Sequence, residues 1–445
     1  MRLIPNALAA LPDEPYPVAL DAVLSEEDFA AARQEIENWP GYAPTPLRDL
    51  PGLAKTLKIG SLRYKDEALR FGLGSFKALG GAYAVFRWLA ERLGSETGKT
   101  VDSRTLLGGS LREATGRMTV ATATDGNHGR SVAWGASLFG CRAVIYIHAT
   151  VSEGRKAAIE KFGAEVRRIE GDYDDSVRIC AAEAAANGWQ VISDTSYAGY
   201  TEIPKLVMQG YGVMVDEALR QLPKTTRPSH LFIQAGVGGL PAAAIARLWQ
   251  RLGAERPSVV IVEPNAADCV YQSALAGRPA RASGKLDTLM AGLACGEVSP
   301  VAWEVIRAGS NAFMTLPDSE AVRAMRALAR GIGGDKPVVG GESGVGGLAG
   351  LIAAAGDRTA REALDLRNDA RVLIFGSEGD TDPALYEKLV GRSGDAVRAG
   401  KNEASAGGRA ARDGEDSLPI IDDSDDPLAL PAEAGGSDRS SSSHG

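Results

Sequence analysis

At 445 residues, 44% of them hydrophobic, the chain is long enough to bury a large core, as two domains or as one composite unit. A formal net charge of -8 argues against nucleic acid as a partner, and no apolar run approaches the ~20 residues that a membrane span needs. The short run 7–11 is ended by Pro12 with Asp13 and Glu14 behind it, too short and too acidic for a secretion signal, so a cytoplasmic location is expected.

In chain order, the first informative segment is Gly72-Leu73-Gly74-Ser75-Phe76-Lys77-Ala78-Leu79-Gly80-Gly81. Tyr83, Val85, Phe86, Trp88, Leu89 and Leu93 continue it as an apolar helical face, which puts Lys77 near a helix start on a turn tightened by glycines. Burial disfavours an ammonium, so a lysine held there becomes a neutral amine able to attack a carbonyl, and an aldehyde cofactor is its natural partner. An exposed lysine at a helix N-terminus is the plain alternative. The stretch 95–113 reads as an insertion or a surface loop.

Strand-like Thr119-Val120-Ala121-Thr122-Ala123 then runs into Thr124-Asp125-Gly126-Asn127-His128-Gly129 and the apolar residues 132–136, a strand-loop-helix turn. Backbone N–H groups at such a turn bind anions together with the helix dipole, and the Asn127 side chain adds a donor. A strand over 141–147 and a helix over 155–162 repeat the pattern. Asp194 lies behind a strand at 191–193 and is either a ligand for a cationic group or a turn aspartate. The third glycine-rich site, Gln234-Ala235-Gly236-Val237-Gly238-Gly239-Leu240, sits between a strand at 231–233 and a helix at 242–246, where glycines let the backbone wrap a phosphate. It has neither the Gly-Lys-Ser/Thr of a nucleotide loop nor the G-x-G-x-x-G spacing of a dinucleotide fold. A side chain at Gly238 is expected to weaken that cradle and leave the fold largely intact.

The repeated strand-loop-helix pattern implies parallel α/β sheets. Cys141, Cys180, Cys269 and Cys295 lack C-x-x-C spacing, so no metal site is expected. From residue 391 the composition turns to Gly, Ala and Ser, with eleven acidic against six basic residues over 391–445, which reads as a disordered acidic tail.

These three motifs, in this order, resemble those of the fold type II pyridoxal-phosphate enzymes, the superfamily of tryptophan synthase β and threonine dehydratase. The resemblance spans about residues 40–390; each motif is weak singly and the ordered triplet is strong. It implies two parallel-sheet α/β domains with pyridoxal 5'-phosphate between them: a catalytic unit over 1–390, its smaller domain at about 85–200 inserted in the larger. In that family the lysine of S-F-K carries the cofactor, the asparagine of G-N-H bonds its phenolic oxygen, and the glycine loop holds its phosphate. Those roles map onto Lys77, onto Asn127, and onto Gly236, Val237, Gly238, Gly239 and Leu240. A neutral hydroxyl faces the ring nitrogen in the family, and Ser377 and Thr381, behind a strand at 372–375, are both candidates. Gly340-Gly341-Glu342-Ser343-Gly344 resembles the family's E-x-G segment and receives no chemistry. A homodimer is a family expectation, and whether Cys269 and Cys295 pair, as in some members, stays open.

Hydroxy-amino-acid dehydratases of this superfamily carry serine before G-N-H, where its hydroxyl binds the substrate carboxylate; this chain has Asp125. A carboxylate there repels an anion, favours a cationic substrate, and can accept a proton. With Asp194-Thr195-Ser196-Tyr197 and Gly376-Ser377-Glu378-Gly379-Asp380-Thr381-Asp382-Pro383, the segment is similar to the diaminopropionate ammonia-lyases. That similarity implies α,β-elimination of a small diamino acid to pyruvate and ammonia, Lys77 and Asp125 as two bases, and Asp125, His128 and Asp194 as substrate contacts. Helix capping is the alternative for Asp125. Two rivals are a serine or threonine dehydratase, which Asp125 speaks against, and a cofactor-binding regulatory protein, which intact Lys77, Asn127 and glycine loop speak against. Stereochemical preference, oligomeric state, any monovalent-cation requirement and the role of the tail are open at this stage.

Overall fold

Runs such as Val259-Val260-Ile261-Val262 and Val372-Leu373-Ile374-Phe375 have no polar face, so they are stable as strands only when covered on both sides. The computed structural model, which describes residues 1–400 apart from 125, 172, 224 and 225, arranges the strands in two sheets. In chain order they are β1 (Arg2–Pro5), β2 (Leu47–Asp49), β3 (Ser61–Asp66), β4 (Thr119–Ala123), β5 (Arg142–His148), β6 (Glu165–Ile169), β7 (Gln190–Val191), β8 (His230–Gln234), β9 (Ser258–Pro264), β10 (Ala312–Leu316) and β11 (Arg371–Gly376).

The larger sheet has the order β1-β10-β9-β8-β11-β3-β2, and the smaller the order β6-β5-β4-β7. The smaller sheet is parallel throughout. The larger is parallel from β10 to β3, but β1 and β2 pair antiparallel at its edges, a departure from the all-parallel expectation. Strands joined by helical crossovers must run parallel, whereas the N-terminal segment meets both edges without one. The smaller sheet uses residues 119–191, between β3 and β8 of the larger.

One apolar core fills the space between the sheets and their shared helices, a second lies on the opposite face of the larger sheet, and a small third backs the smaller sheet. Helix Lys77–Thr97 is the axle of the first. It packs on helix Glu202–Gln221 so closely that a Cβ on Gly210 would stand 2.0 Å from Leu79 O, and a Cβ on Gly135 of helix Asn127–Phe139 would stand 2.7 Å from Ala82 Cα. Glycine at these two crossings is what lets three helices converge on Lys77.

Two boundaries drawn from composition shift. The stretch 95–113 holds the end of helix Lys77–Thr97 and helix Ser103–Leu107, capped by Asp102 and anchored by buried Leu106. Residues 391–400 belong to the folded unit: helix Gly394–Arg398, capped by Ser393, buries Val397 in the second core. One buried valine anchors a helix that charge and glycine content hide. Asp125 and the tail beyond residue 400 lie outside the described residues.

Candidate active site

Lys77 is the first residue of its helix. The segment before it takes left-handed backbone at Phe71, Gly72 and Gly74, and then pairs with the strand end behind β11: Phe76 N–H donates to Ser377 O at 2.9 Å and Gly379 N–H to Gly74 O at 2.9 Å. A non-glycine residue at positive φ, here Phe71 at 51°, is uncommon, and aromatic packing on Trp39, Tyr42 and Trp134 holds it. Sequence-distant segments thereby become neighbours.

The Lys77 side chain is 19% exposed and its Nζ donates to Asp194 Oδ2, whose own side chain is 17% exposed. Burial alone would lower the ammonium pKa, but the Asp194 carboxylate and the Tyr211 hydroxyl beside it outweigh that and raise it. Burial likewise opposes the Asp194 charge, and the Lys77 ammonium overcomes it, holding the carboxyl well below its usual range. The neutral amine expected from burial is therefore an ammonium here, because the fold supplies a carboxylate that lysine's surroundings in sequence do not show. His128 is buried; Nε2 lies 2.8 Å from Ile192 O, and Nδ1 has no hydrogen-bond partner and stands 3.9 Å from Asp194 Oδ2. Burial keeps this imidazole neutral, more than Asp194 favours its charge.

Asn127 opens helix Asn127–Phe139 behind Gly126, whose φ of 151° favours glycine, and its Nδ2 donates to Glu378 Oε2. The glycine loop lies next to Lys77: a Cβ on Gly239 would stand 3.8 Å from Asp194 O and 3.9 Å from the Tyr211 ring, and one on Gly236 2.9 Å from Cys295 Sγ. Among the described residues, none of the N–H groups of Gly236, Val237, Gly238, Gly239 and Leu240 donates to a protein acceptor, and they crown helix Gly239–Leu252. An anion at that helix start satisfies them. Gly238 does a second job. Its φ is 95°, a backbone conformation that side chains rarely adopt, and a Cβ there would stand 2.8 Å from the flexible end of Ile306, Cδ1, in helix Pro300–Gly309, so a substitution is expected to strain the backbone as well as disturb the loop.

Ser377 is buried at the end of β11, and Gln234 Nε2 donates to its Oγ at 2.7 Å. Gln234 Oε1 accepts from Gly347 N–H, which fixes the amide's orientation. Ser377 thus keeps its own proton to give. Thr381 Oγ1 is buried without a partner, its methyl 3.2 Å from where a Cβ on Gly74 would be. Cys269 and Cys295 form no disulfide with each other and both border Gly236, Cys269 through a 3.6 Å contact to its carbonyl.

Tyr211, Gln234, Glu378, Arg155 and Glu342 join the site without having been singled out as functional from sequence. Tyr211 lies in an apolar helix, its ring 4.5 Å from that of Phe76, while Gln234, Glu342 and Glu378 stand inside glycine-rich segments that the sequence had already marked. Among the described residues, no group of three His, Cys, Asp or Glu side chains is placed to hold a metal ion, and no helix is long and apolar enough to cross a membrane.

The residues fit pyridoxal 5'-phosphate: an amine for its aldehyde, N–H groups lacking acceptors for its phosphate, the Ser377 hydroxyl for its ring nitrogen and the Asn127 amide for its phenolic oxygen. The family model described as "Pyridoxal-phosphate dependent enzyme" matches residues 39–378. A diaminopropionate ammonia-lyase of Escherichia coli (strain K12) is 40% identical over 374 residues, 83% of this chain and 92% of that protein. The crystal structure of the Escherichia coli diaminopropionate ammonia lyase in complex with an aminoacrylate-PLP azomethine reaction intermediate superposes with a TM-score of 0.78 at 38% identity, covering 87% of this chain and 96% of the other. Its complex with D-serine gives 0.79 at 37% identity over the same shares. The chain belongs to the pyridoxal-phosphate-dependent enzymes of fold type II, and within them it groups with the diaminopropionate ammonia-lyases.

Proposed function

We propose that this lyase removes the 3-amino group of 2,3-diaminopropionate, leaving 2-aminoacrylate and ammonia, and that water then converts the aminoacrylate to pyruvate and a second ammonia. The relatives' activity supports this reading. The observation that carries it is the Lys77–Asp194 contact, in which a sheltered carboxylate grips a cationic nitrogen. A diamino acid brings such a nitrogen as its 3-ammonium; serine and threonine bring a neutral hydroxyl.

Pyridoxal phosphate, when bound, supplies the electron sink for a carbanion at Cα. Lys77 would hold the cofactor through its amine, which would leave Asp194 to accept a charge-assisted hydrogen bond from the substrate's 3-ammonium. Keeping that group protonated lets it depart as neutral ammonia. With Nε2 donating to Ile192 O, His128 Nδ1 is left as an acceptor for a second hydrogen of the same ammonium. Asn127 holds the phenolic oxygen. Ser377, its oxygen already accepting from Gln234, donates to the ring nitrogen in preference to Thr381. Lys77, once released, takes the Cα proton of one enantiomer, and Asp125 takes it from the other. A homodimer in the cytoplasm completes the proposal, checked by sedimentation and by cell fractionation.

The test is pyruvate release by purified protein from D- and L-diaminopropionate, D- and L-serine and L-threonine, with Lys77→Ala as control. We expect diaminopropionate turnover, visible cofactor absorption, and loss of both in Lys77→Ala. Serine turnover without diaminopropionate turnover would move the enzyme to the dehydratases, and a borohydride-fixed cofactor on another lysine would remove Lys77 from its role.

A further inference from the structure

Among the described residues, two side-chain contacts join the helices of the smaller sheet to Glu378, behind β11, and to Glu342, in the loop packed against it. One, Asn127 to Glu378, belongs to the cofactor site. In the other, Arg155, in the first turn of helix Glu153–Glu160, places Nη2 3.0 Å from Glu342 Oε1. The Glu342 side chain is 1% exposed and that of Arg155 17%, so the pair is shielded from water.

Its surroundings tie it to the site. The Arg155 stem covers the turn before Asn127, its Cδ 3.2 Å from where a Cβ on Gly126 would stand. Glu342 is joined to the Asn127 anchor through the next residue, since Ser343 N–H donates to Glu378 Oε1 at 2.9 Å. Burial and the nearby Glu378 carboxylate both raise the Glu342 pKa, with Arg155 opposing them. Removing the guanidinium leaves a buried carboxyl beside another carboxylate.

We infer that Arg155 and Glu342 are a positioning pair that clamps the smaller sheet unit onto the larger and thereby holds Asn127 and its turn against the cofactor. Neither residue touches the reacting atoms. The clamp is a contact within the chain, so only the turnover part of its test rests on the diaminopropionate reading.

The experiment uses full-length protein loaded with pyridoxal phosphate, comparing wild type, Arg155→Met, which keeps the stem and removes the charge, and Arg155→Lys, which keeps the charge. Amide hydrogen exchange is followed in segments 126–139, 153–160 and 239–252, together with KM and kcat for diaminopropionate. Arg155→Met is expected to speed exchange about tenfold in the first two segments, equivalent to about 1.4 kcal/mol, leave 239–252 unchanged, and raise KM more than it lowers kcat. Arg155→Lys should recover part of each. Unchanged exchange overturns the inference, as does a uniform rise that includes 239–252, which would make the pair general fold support. Should Arg155→Met fail to fold, Arg155→Lys decides alone: a smaller rise confined to the two segments supports the clamp, and none overturns it. Failure of diaminopropionate turnover leaves the exchange result intact and strikes only the substrate reading.

Discussion

Gly238 separates cofactor binding from folding, because the structure gives it two constraints and its neighbour Gly239 neither. At φ 95°, an alanine at position 238 costs about 1–2 kcal/mol in backbone strain. Its Cβ would also stand 2.8 Å from Ile306 Cδ1, a side-chain end that can turn aside at small cost, with Ala302 and Val298 at an ordinary 3.4 Å. Backbone strain therefore carries most of the expected loss, against a typical total stability of roughly 5–15 kcal/mol. Gly239 begins the helix, and a Cβ there meets Met208 Cγ at 3.6 Å, an ordinary contact, while facing Asp194 and Tyr211. Urea unfolding followed by circular dichroism and cofactor titration followed by visible absorption, run in parallel, distinguish the two. Gly238→Ala should lose both stability and cofactor affinity, whereas Gly239→Ala should keep its urea midpoint and lose cofactor affinity about tenfold, roughly 1.4 kcal/mol. A wild-type midpoint for Gly238→Ala would refute the strain argument, and normal cofactor binding by Gly239→Ala would refute the cradle.

In Asp194→Asn the carboxylate that keeps Lys77 charged is gone and burial prevails, so the amine becomes neutral at lower pH; the pH profile of cofactor attachment should move down by about one unit or more, and an unmoved profile removes Asp194 from control of Lys77. The same variant should lose diaminopropionate turnover through KM. Glu217 lies among buried charges, accepting from Lys65 Nζ and Arg70 Nη2 at 2.7 Å each and from Tyr42 at 2.9 Å, so Glu217→Gln should cost about 3–5 kcal/mol. Burial opposes the Glu217 charge, yet Arg70 and Lys65 hold its pKa below the ordinary 4.5. Its contribution is therefore full above that value and fades as pH falls, and the gap in urea midpoint between wild type and variant should narrow from pH 7 towards acid; a constant gap contradicts the ion-pair account. Asp125→Asn should reduce turnover of D-diaminopropionate about 10²–10⁴-fold more than that of the L enantiomer, and equal losses would make Asp125 a binding group in place of a base.

What the sequence determines here is local. Glycines around Lys77, before Asn127 and within 236–240 impose turns at strand ends, because the conformations concerned are open to glycine and costly elsewhere. Apolar runs bounded by those turns settle the strands of both sheets, and ordered together the three turns resemble one family's cofactor site. Composition misleads where a single side chain decides, as Val397 does for the helix beyond residue 391. Tertiary structure alone brings Asp194 to Lys77 across 117 positions, Glu378 to Asn127 across 251, and Glu342 to Arg155 across 187. It also decides the charge on Lys77 and what a side chain at Gly238 would meet. Backbone conformation depends on a few adjacent residues, so it can be read along the chain. A pKa or a clash depends on which atoms arrive from other elements, and that is set by strand order and by how closely helices cross at Gly210 and Gly135.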